Sequence, residues 1–104
     1  MAACLDDQLQ VIRCFTAAKG IPGAVQVETQ TLVREILQTH CRSVVLAHNH
    51  PNGKAVPSDE DIYTTIAIAK LLKSLSIELL DHIIVTPEDT CSMLKTGAYE
   101  PSML

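Results

Sequence analysis

The feature that most constrains the fold is an alternation of strand-like and helix-like patterns in the second half of the chain. Residues 43–50 form a short run rich in Val and Leu, and residues 77–85 form a second apolar run. Apolar runs of this length suit buried strands better than helices. Between them, Ser58 is a typical N-cap residue, and apolar positions recur at helical spacing from 62 to 75. The alternation predicts an α/β domain in which a small mixed sheet is flanked by two main helices.

The first half of the chain predicts further strands and the other main helix. Residues 3–15 contain two apolar segments around a polar tip, which is the pattern of a β-hairpin with a very short first arm. We expect this short arm to leave an open sheet edge, and residues 24–27 to add a short extended piece. Thr29 or Thr31 is the expected N-cap of a helix that ends near His40, because one apolar stripe recurs along it.

The overall composition excludes several classes of protein. The apolar fraction of 47% and the length of 104 residues are typical of one globular domain with a single core. The net charge of −4 and the scattered positions of the eight Lys and Arg residues argue against generic binding to nucleic acid. No run has the length of a membrane span and the N-terminus lacks a secretory pattern, so we expect a cytoplasmic protein with reduced cysteines.

Two histidines one residue apart, followed by a serine and an aspartate, indicate a metal site. His48 and His50 project to one face of the predicted strand, because side chains alternate along a strand. The turn signal at 51–53 then allows Asp61, in the first turn of the next helix, to return toward the strand end. Two histidines and a carboxylate suit Zn²⁺ with one open position, which is the pattern of a catalytic site rather than a structural one.

Each of these residues also has a simpler interpretation. Paired histidines on a strand often pack or bond locally, and Ser58 with Asp61 makes a good helix cap whether or not a metal binds. A cap does not explain two histidines on the same face of the neighbouring strand end, so the full pattern H-x-H-x₇-S-x-x-D favours metal binding. Near a bound metal, the Ser58 hydroxyl could donate to the oxyanion of a tetrahedral intermediate.

The strand predicted at 77–85 carries two adjacent polar residues, Asp81 and His82. They project to opposite faces, so at least one of them is expected to be buried and hydrogen-bonded. We interpret His82 as a structural residue rather than as a metal ligand. Beyond this strand, Ser92 and Gly97 are the expected cap and terminator of a helical turn.

The complete motif resembles that of the JAMM (MPN+) metalloproteases. The asparagine between the histidines and the Pro-Asn-Gly that follows them are similar to the bacterial RadC-like branch of that family. The similarity also runs through residues 5–6, 32–36, 80–85 and 92–97, so it covers nearly the whole chain. It implies a cytidine-deaminase-like α/β/α fold and a single RadC-like domain over residues 1–104.

The resemblance further implies a zinc-dependent hydrolase that cleaves a peptide or isopeptide bond in a protein substrate. His48, His50 and Asp61 would hold the zinc ion, and Ser58 would stabilise the transition state. RadC-like proteins also carry a historical DNA-repair name, so a DNA or repair-protein partner is a second expectation. The alternative is a non-catalytic module that binds metal and recognises such a partner.

The chain departs from the family pattern at the general base. In the family, a glutamate on the opening strand lies ahead of the segment that resembles Leu5-Asp6. Residues 1–4 contain no glutamate, so we expect the family's first strand to be missing from residues 1–104. Glu28, expected in a connection, and Glu35, expected on a helix surface, are poor candidates to replace that base.

Overall fold

A five-stranded mixed sheet organises the domain. The structure is a computed structural model, and it describes residues 1–16, 25–50 and 54–104. The β3–β4 pair is parallel, and the other three neighbouring pairs are antiparallel. The strand order is β2-β1-β3-β4-β5, with β1 at Ala2–Leu5, β2 at Val11–Phe15, β3 at Ser43–Asn49, β4 at Glu78–Val85 and β5 at Thr90–Ser92.

Two long helices and one short helix accompany the sheet. They are α1 (Val25–Gln38), α2 (Asp59–Ser74) and α3 (Met93–Thr96), and a 3₁₀ turn at Pro101–Met103 follows. The predicted α/β class with two main helices is therefore confirmed. No helix of the described residues is long and apolar enough to cross a membrane.

Helix α1 begins earlier than the sequence pattern indicated. Residues 25–27 are helical, so the extended piece predicted there is wrong, and residue 24 lies outside the described residues. Thr29 and Thr31 lie inside α1 rather than at its N-cap, and Glu28 belongs to the helix rather than to a connection. Val and Thr have weak helix propensity, but propensity is a weak guide when a helix packs an apolar stripe against a sheet.

Both long helices pack on the same face of the sheet. Strand β2 runs parallel to β3 across β1, and β3 runs parallel to β4, so both helical connections advance in the same direction across the sheet. Right-handed crossovers therefore place both helices on one face. This inner face and the helices share a buried core that includes Ala2, Cys4, Val44, Leu46, Leu79 and Ile84 from the strands and Leu32, Ile36, Ile68, Ala69 and Leu72 from the helices.

The opposite, outer face of the sheet carries neither long helix. By register it presents Ala3 and Leu5 from β1, and Val45 and Ala47 from β3. Strand β4 adds Ile83 and Val85. The described residues thus supply two layers of the expected α/β/α arrangement.

Strand β1 is an interior strand, because β2 pairs with one of its sides and β3 with the other. The short first arm pairs with β3 only as far as Ala47, so the end of β3 has no partner from β1. The hairpin folds away from the centre of the sheet and makes β2 the outermost strand. Val11 on β2 is 59% exposed.

A bulge shifts the alternation of side chains along β4. Leu79 lies opposite Val44, whereas Asp81 lies opposite Val45, so Leu80 is the extra residue. The bulge places Leu79, rather than Leu80, on the inner face with His82. A reading of the sequence with a strict period of two does not detect such an inserted residue.

The segment after β5 folds back onto β4. Ser92 caps α3 and Gly97 ends it with a φ of 80°, as predicted. Tyr99 follows, fully buried, and its hydroxyl donates to the Leu79 carbonyl at 2.8 Å. Burial raises the pKa of the Tyr99 hydroxyl, and the charge of Glu78 adds to the shift. Tyr99 therefore ties the end of the chain to the start of β4.

Replacing Tyr99 by Phe tests this contact. We expect Tyr99→Phe to lower the free energy of unfolding by about 1–3 kcal/mol, because the buried Leu79 carbonyl loses its donor. The matched control is Tyr63→Phe, at a side chain that is 77% exposed, which should change stability by less than about 0.5 kcal/mol. Urea denaturation of the two variants measures the difference. Equal stabilities would contradict the role given to Tyr99.

Candidate metal centre

Three side chains that could hold a metal ion meet where β3 ends and α2 begins. His48 is the next-to-last residue of β3, His50 follows that strand, and Asp61 lies in the first turn of α2. Each offers one ligand atom, and these atoms all lie within 4.8 Å of one another. Among the residues that the structure describes, this is the one group of its kind. The sequence motif and the folded structure therefore bring the same three residues together.

The distances suit a small tetrahedral cation. Atom Nε2 of His50 lies 3.0 Å from Oδ2 of Asp61, and Nε2 of His48 lies 3.9 Å from Oδ1. Ligand atoms that bind Zn²⁺ at ~2.0–2.1 Å in a tetrahedron lie roughly 3.3 Å from one another. The chemistry of the donors, two imidazole nitrogens and one carboxylate oxygen, also matches zinc. The residues present thus fit such an ion, with one position left for water or substrate.

The backbone around the histidines is held by β4. Strand pairing continues one residue past β3, since the His50 N–H donates to the Val85 carbonyl at 2.9 Å. The two imidazole rings pack edge to face, with centroids 4.9 Å apart. The His48 side chain is 49% exposed and that of His50 is 22% exposed. The group is therefore open to solvent on the side of His48.

A capping box orients the Asp61 carboxylate. The Ser58 hydroxyl oxygen accepts from the Asp61 N–H at 3.0 Å, and Asp61 Oδ2 accepts from the Ser58 N–H at 2.9 Å. The predicted helix cap is confirmed, and it coexists with the metal-binding geometry. The same carboxylate closes the helix terminus and faces the two histidines.

The protonation state of Asp61 follows from these neighbours. Burial by itself raises the pKa of the carboxyl, but the hydrogen bonds with Ser58 and the electrostatic interaction with His48 and His50 lower it and outweigh burial. The pKa of Asp61 is therefore lowered from its ordinary value. The carboxylate is charged at neutral pH, which is the form that binds a cation.

His82 lies behind the group as a structural residue. It is buried, and its Nδ1 lies 2.6 Å from the Thr65 hydroxyl, which also lies 2.6 Å from the Asp61 carbonyl. One proton on Thr65 satisfies both contacts if the hydroxyl donates to that carbonyl and accepts from His82 Nδ1–H. Burial lowers the pKa of His82 to about 4, so the ring is neutral at pH 7.

Thr65 is a residue that the sequence analysis missed. It is fully buried on α2, four residues after Asp61, and it joins the first turn of the helix to β4 through His82. The available signal was a threonine one turn after a candidate ligand, on the apolar side of the helix. That signal is weak, because threonine often bonds to the carbonyl four residues back without any further role.

The remaining polar residues singled out in the sequence lie elsewhere. The Asp81 carboxylate accepts from the Ser92 hydroxyl at 2.5 Å and from the Leu94 N–H at 3.0 Å, so it anchors α3 to β4. Glu35 lies on α1, 2.9 Å from Arg13, in an ion pair without hydrogen-bond alignment. Neither carboxylate belongs to the metal-binding group.

Comparison with known proteins agrees with this geometry. The profile of a family described as "RadC-like JAB domain" matches residues 1–98. A UPF0758 protein of Bordetella avium is 38% identical over 97 residues, which cover 93% of this chain and 43% of that protein. The UPF0758 proteins of Bordetella bronchiseptica and Bordetella parapertussis match with the same identity and coverage. The chain thus spans less than half the length of these curated relatives, and it belongs to the RadC-like JAB domain family.

Proposed function

We propose that the domain is a zinc-dependent hydrolase of the JAMM type that cleaves a peptide or isopeptide bond. The observation that carries this proposal is the convergence of His48, His50 and Asp61 in a chain of the RadC-like JAB family. Bound there, zinc would supply a water of lowered pKa as the nucleophile and would polarise the substrate carbonyl. A peptide or protein substrate belongs to this proposal, whereas recognition of a DNA or repair-protein partner belongs to the second candidate.

Ser58 is the proposed donor to the oxyanion. Its bond with the Asp61 N–H uses a lone pair of the hydroxyl oxygen and leaves the hydroxyl proton available for a second partner. The side chain lies at the exposed N-terminus of α2, where the helix dipole also favours a developing negative charge. Capping and oxyanion stabilisation are thus compatible at one residue.

We propose that the general base lies on the β1 side of β3. The Met1 N-terminal amine donates to the Ala47 carbonyl at 2.9 Å, and the Ala47 N–H donates to the Met1 carbonyl at 2.8 Å. Residues placed ahead of Met1 would continue this antiparallel pairing. Counted upstream from Met1, the first would lie opposite His48 and the third opposite His50. By the alternation of side chains, a glutamate at the third added position would share the face of His50.

Metal analysis tests the site itself. Protein purified without chelator should contain about one zinc per chain, because three deprotonated ligands converge. His48→Ala, His50→Ala and Asp61→Ala should each lose most of it. His40→Asn is the matched control, since His40 has a φ of 56° that asparagine tolerates and lies outside the group. Zinc that is absent from the native chain, or unchanged in the variants, would refute the site.

Catalysis is tested by adding the base. A chain extended ahead of Met1 with glutamate at the third added position should cleave a peptide or isopeptide library at least ~100-fold faster than the native chain. The matched control carries the same glutamate at the second added position, which projects to the outer face.

In the active background, Ser58→Ala should lower kcat by roughly 100-fold, and Ser58→Thr should retain most of it. Zinc-loaded protein that cleaves nothing in either extended form would contradict the hydrolase proposal while leaving the metal site intact.

The second candidate is a module that binds metal and recognises a partner without catalysis. It is favoured by one observation: among the described residues, no carboxylate besides Asp61 joins the group, and Glu35 is paired with Arg13. In this case the metal would hold the ends of β3 and α2 together.

DNA titration at several salt concentrations separates DNA recognition from the leading proposal. We expect no saturable, salt-dependent binding by the native chain, because the net charge is −4 and both Arg13 and Arg42 are paired with carboxylates. An affinity that falls steeply with salt and survives His48→Ala would favour the second candidate instead.

A further inference from the structure

A cavity lies at the edge of the sheet where β3 and β4 begin. Its volume is ≈ 320 Å³, which is within the range of small-molecule binding sites. Its lining includes Arg42 just ahead of β3, Lys73 near the end of α2, and Leu79 near the start of β4. Pro101, in the 3₁₀ turn near the end of the chain, also lines it. Several separate segments of the chain therefore meet around this space.

The cavity is separate from the candidate metal centre. Strands β3 and β4 are parallel, so both begin beside the cavity and both end beside the metal-binding group. An extended chain rises ~20 Å between Arg42 and His48. None of the three candidate ligands lines the cavity. A molecule in the cavity therefore neither requires nor blocks a metal ion.

The buried part of the lining is apolar. Ala69 from α2 is buried there, and so are Ile77 and Leu79 beside the start of β4. The Tyr99 ring is also buried, and its hydroxyl already donates to the Leu79 carbonyl. These side chains offer no unused hydrogen-bonding group, so they favour an aliphatic or aromatic body over a sugar or a phosphate.

The exposed part of the lining is cationic. The register places Glu78 on the outer side of β4, so its carboxylate projects away from the face on which α2 and the cavity lie. The charged side chains that remain are Arg42 and Lys73. Lys73 takes part in no ion pair with the residues that the structure describes.

The Arg42 guanidinium also has donors to spare. It contacts Asp7 through Nε, at 3.3 Å from Oδ1, which leaves its two Nη groups for a second carboxylate. A planar carboxylate is the anion that such a fork and a neighbouring ammonium group bind well. The charges and the apolar lining together match a molecule with one carboxylate and an apolar body.

The volume limits the size of that molecule. At ~30 Å³ for each water-sized group, the cavity holds on the order of ten such groups. Small branched or aromatic monocarboxylates, such as isocaproate and phenylacetate, are about this large. A long-chain fatty acid is too large for the space.

We propose that this cavity is a binding site for a small apolar monocarboxylate. The apolar body packs on Ala69, Ile77 and Leu79. The carboxylate lies between Lys73 and Arg42. Because the ligand contacts several segments of the folded chain, it stabilises the domain with or without a bound metal.

Titration of the full 104-residue chain tests the proposal. Isocaproate and phenylacetate should each bind by calorimetry at one site per chain with a Kd of ~1 mM or below, equally with and without a chelator. Isoamyl alcohol lacks the carboxylate and acetate lacks the apolar body, so each should bind at least ~10-fold more weakly than isocaproate. Inorganic phosphate should not compete.

Two variants with matched controls locate the site. Lys73→Gln and Arg42→Gln should each weaken isocaproate binding by roughly 10-fold, because each removes one charged donor. Lys70→Gln on α2 and Arg34→Gln on α1 change exposed residues that do not line the cavity, and they should leave binding unchanged. Thermal melts check that all four variants fold.

The remaining outcomes overturn the proposal. They are the absence of saturable binding by both carboxylates, equal binding of isoamyl alcohol, and binding that survives both Lys73→Gln and Arg42→Gln. The comparison of analogues uses the native chain, so it decides the question even where a variant does not fold. A chain that binds isocaproate but contains no zinc supports this proposal and refutes only the metal site.

Discussion

The parallel pairing of β3 with β4 is the constraint on which the site depends. Two parallel neighbours cannot be joined by a tight turn, so the chain must leave the end of β3 and return to the start of β4 through a crossover helix. That helix, α2, necessarily begins at the edge where β3 ends. The ligands before and after the crossover therefore meet, and His48 and His50 face Asp61 although a loop separates them in sequence.

Asp61 shows how one residue can serve the fold and the site together. Its carboxylate accepts from the Ser58 backbone, which holds the side chain in place before any metal arrives. The Thr65 hydroxyl contacts the Asp61 carbonyl and His82, which ties the same turn of α2 to β4. A ligand whose position is set by a helix cap costs less to order on binding than one on a mobile loop. The simple capping interpretation and the functional one thus describe a single arrangement.

The two faces of the sheet differ in what packs against them. The inner face, the two long helices and Tyr99 form one core that accounts for the stability of the described domain. The outer face presents Val45 and Ala47 from β3 and Ile83 and Val85 from β4 beside the carboxylates Glu78 and Asp81, and neither long helix packs on it. The handedness of the two crossovers produces this asymmetry, because both connections advance across the sheet in one direction. Both long helices therefore pack on the inner face, and the metal-binding group lies at the edge where β3 ends and α2 begins.

Local patterns in the sequence were sufficient for the α/β class, the strands β3 and β4, the Ser58 cap of α2 and the convergence of His48, His50 and Asp61. These features depend on interactions within one element or between consecutive elements. The residue types and their spacing in the sequence predict such interactions directly. The start of α1, the interior place of β1, the bulge at Leu80 and the contact of Thr65 with His82 were decided by tertiary structure. Each depends on a partner that is distant in sequence. Packing against such a partner can outweigh local propensity, and pairing with a neighbouring strand can accommodate an extra residue that breaks the period of two.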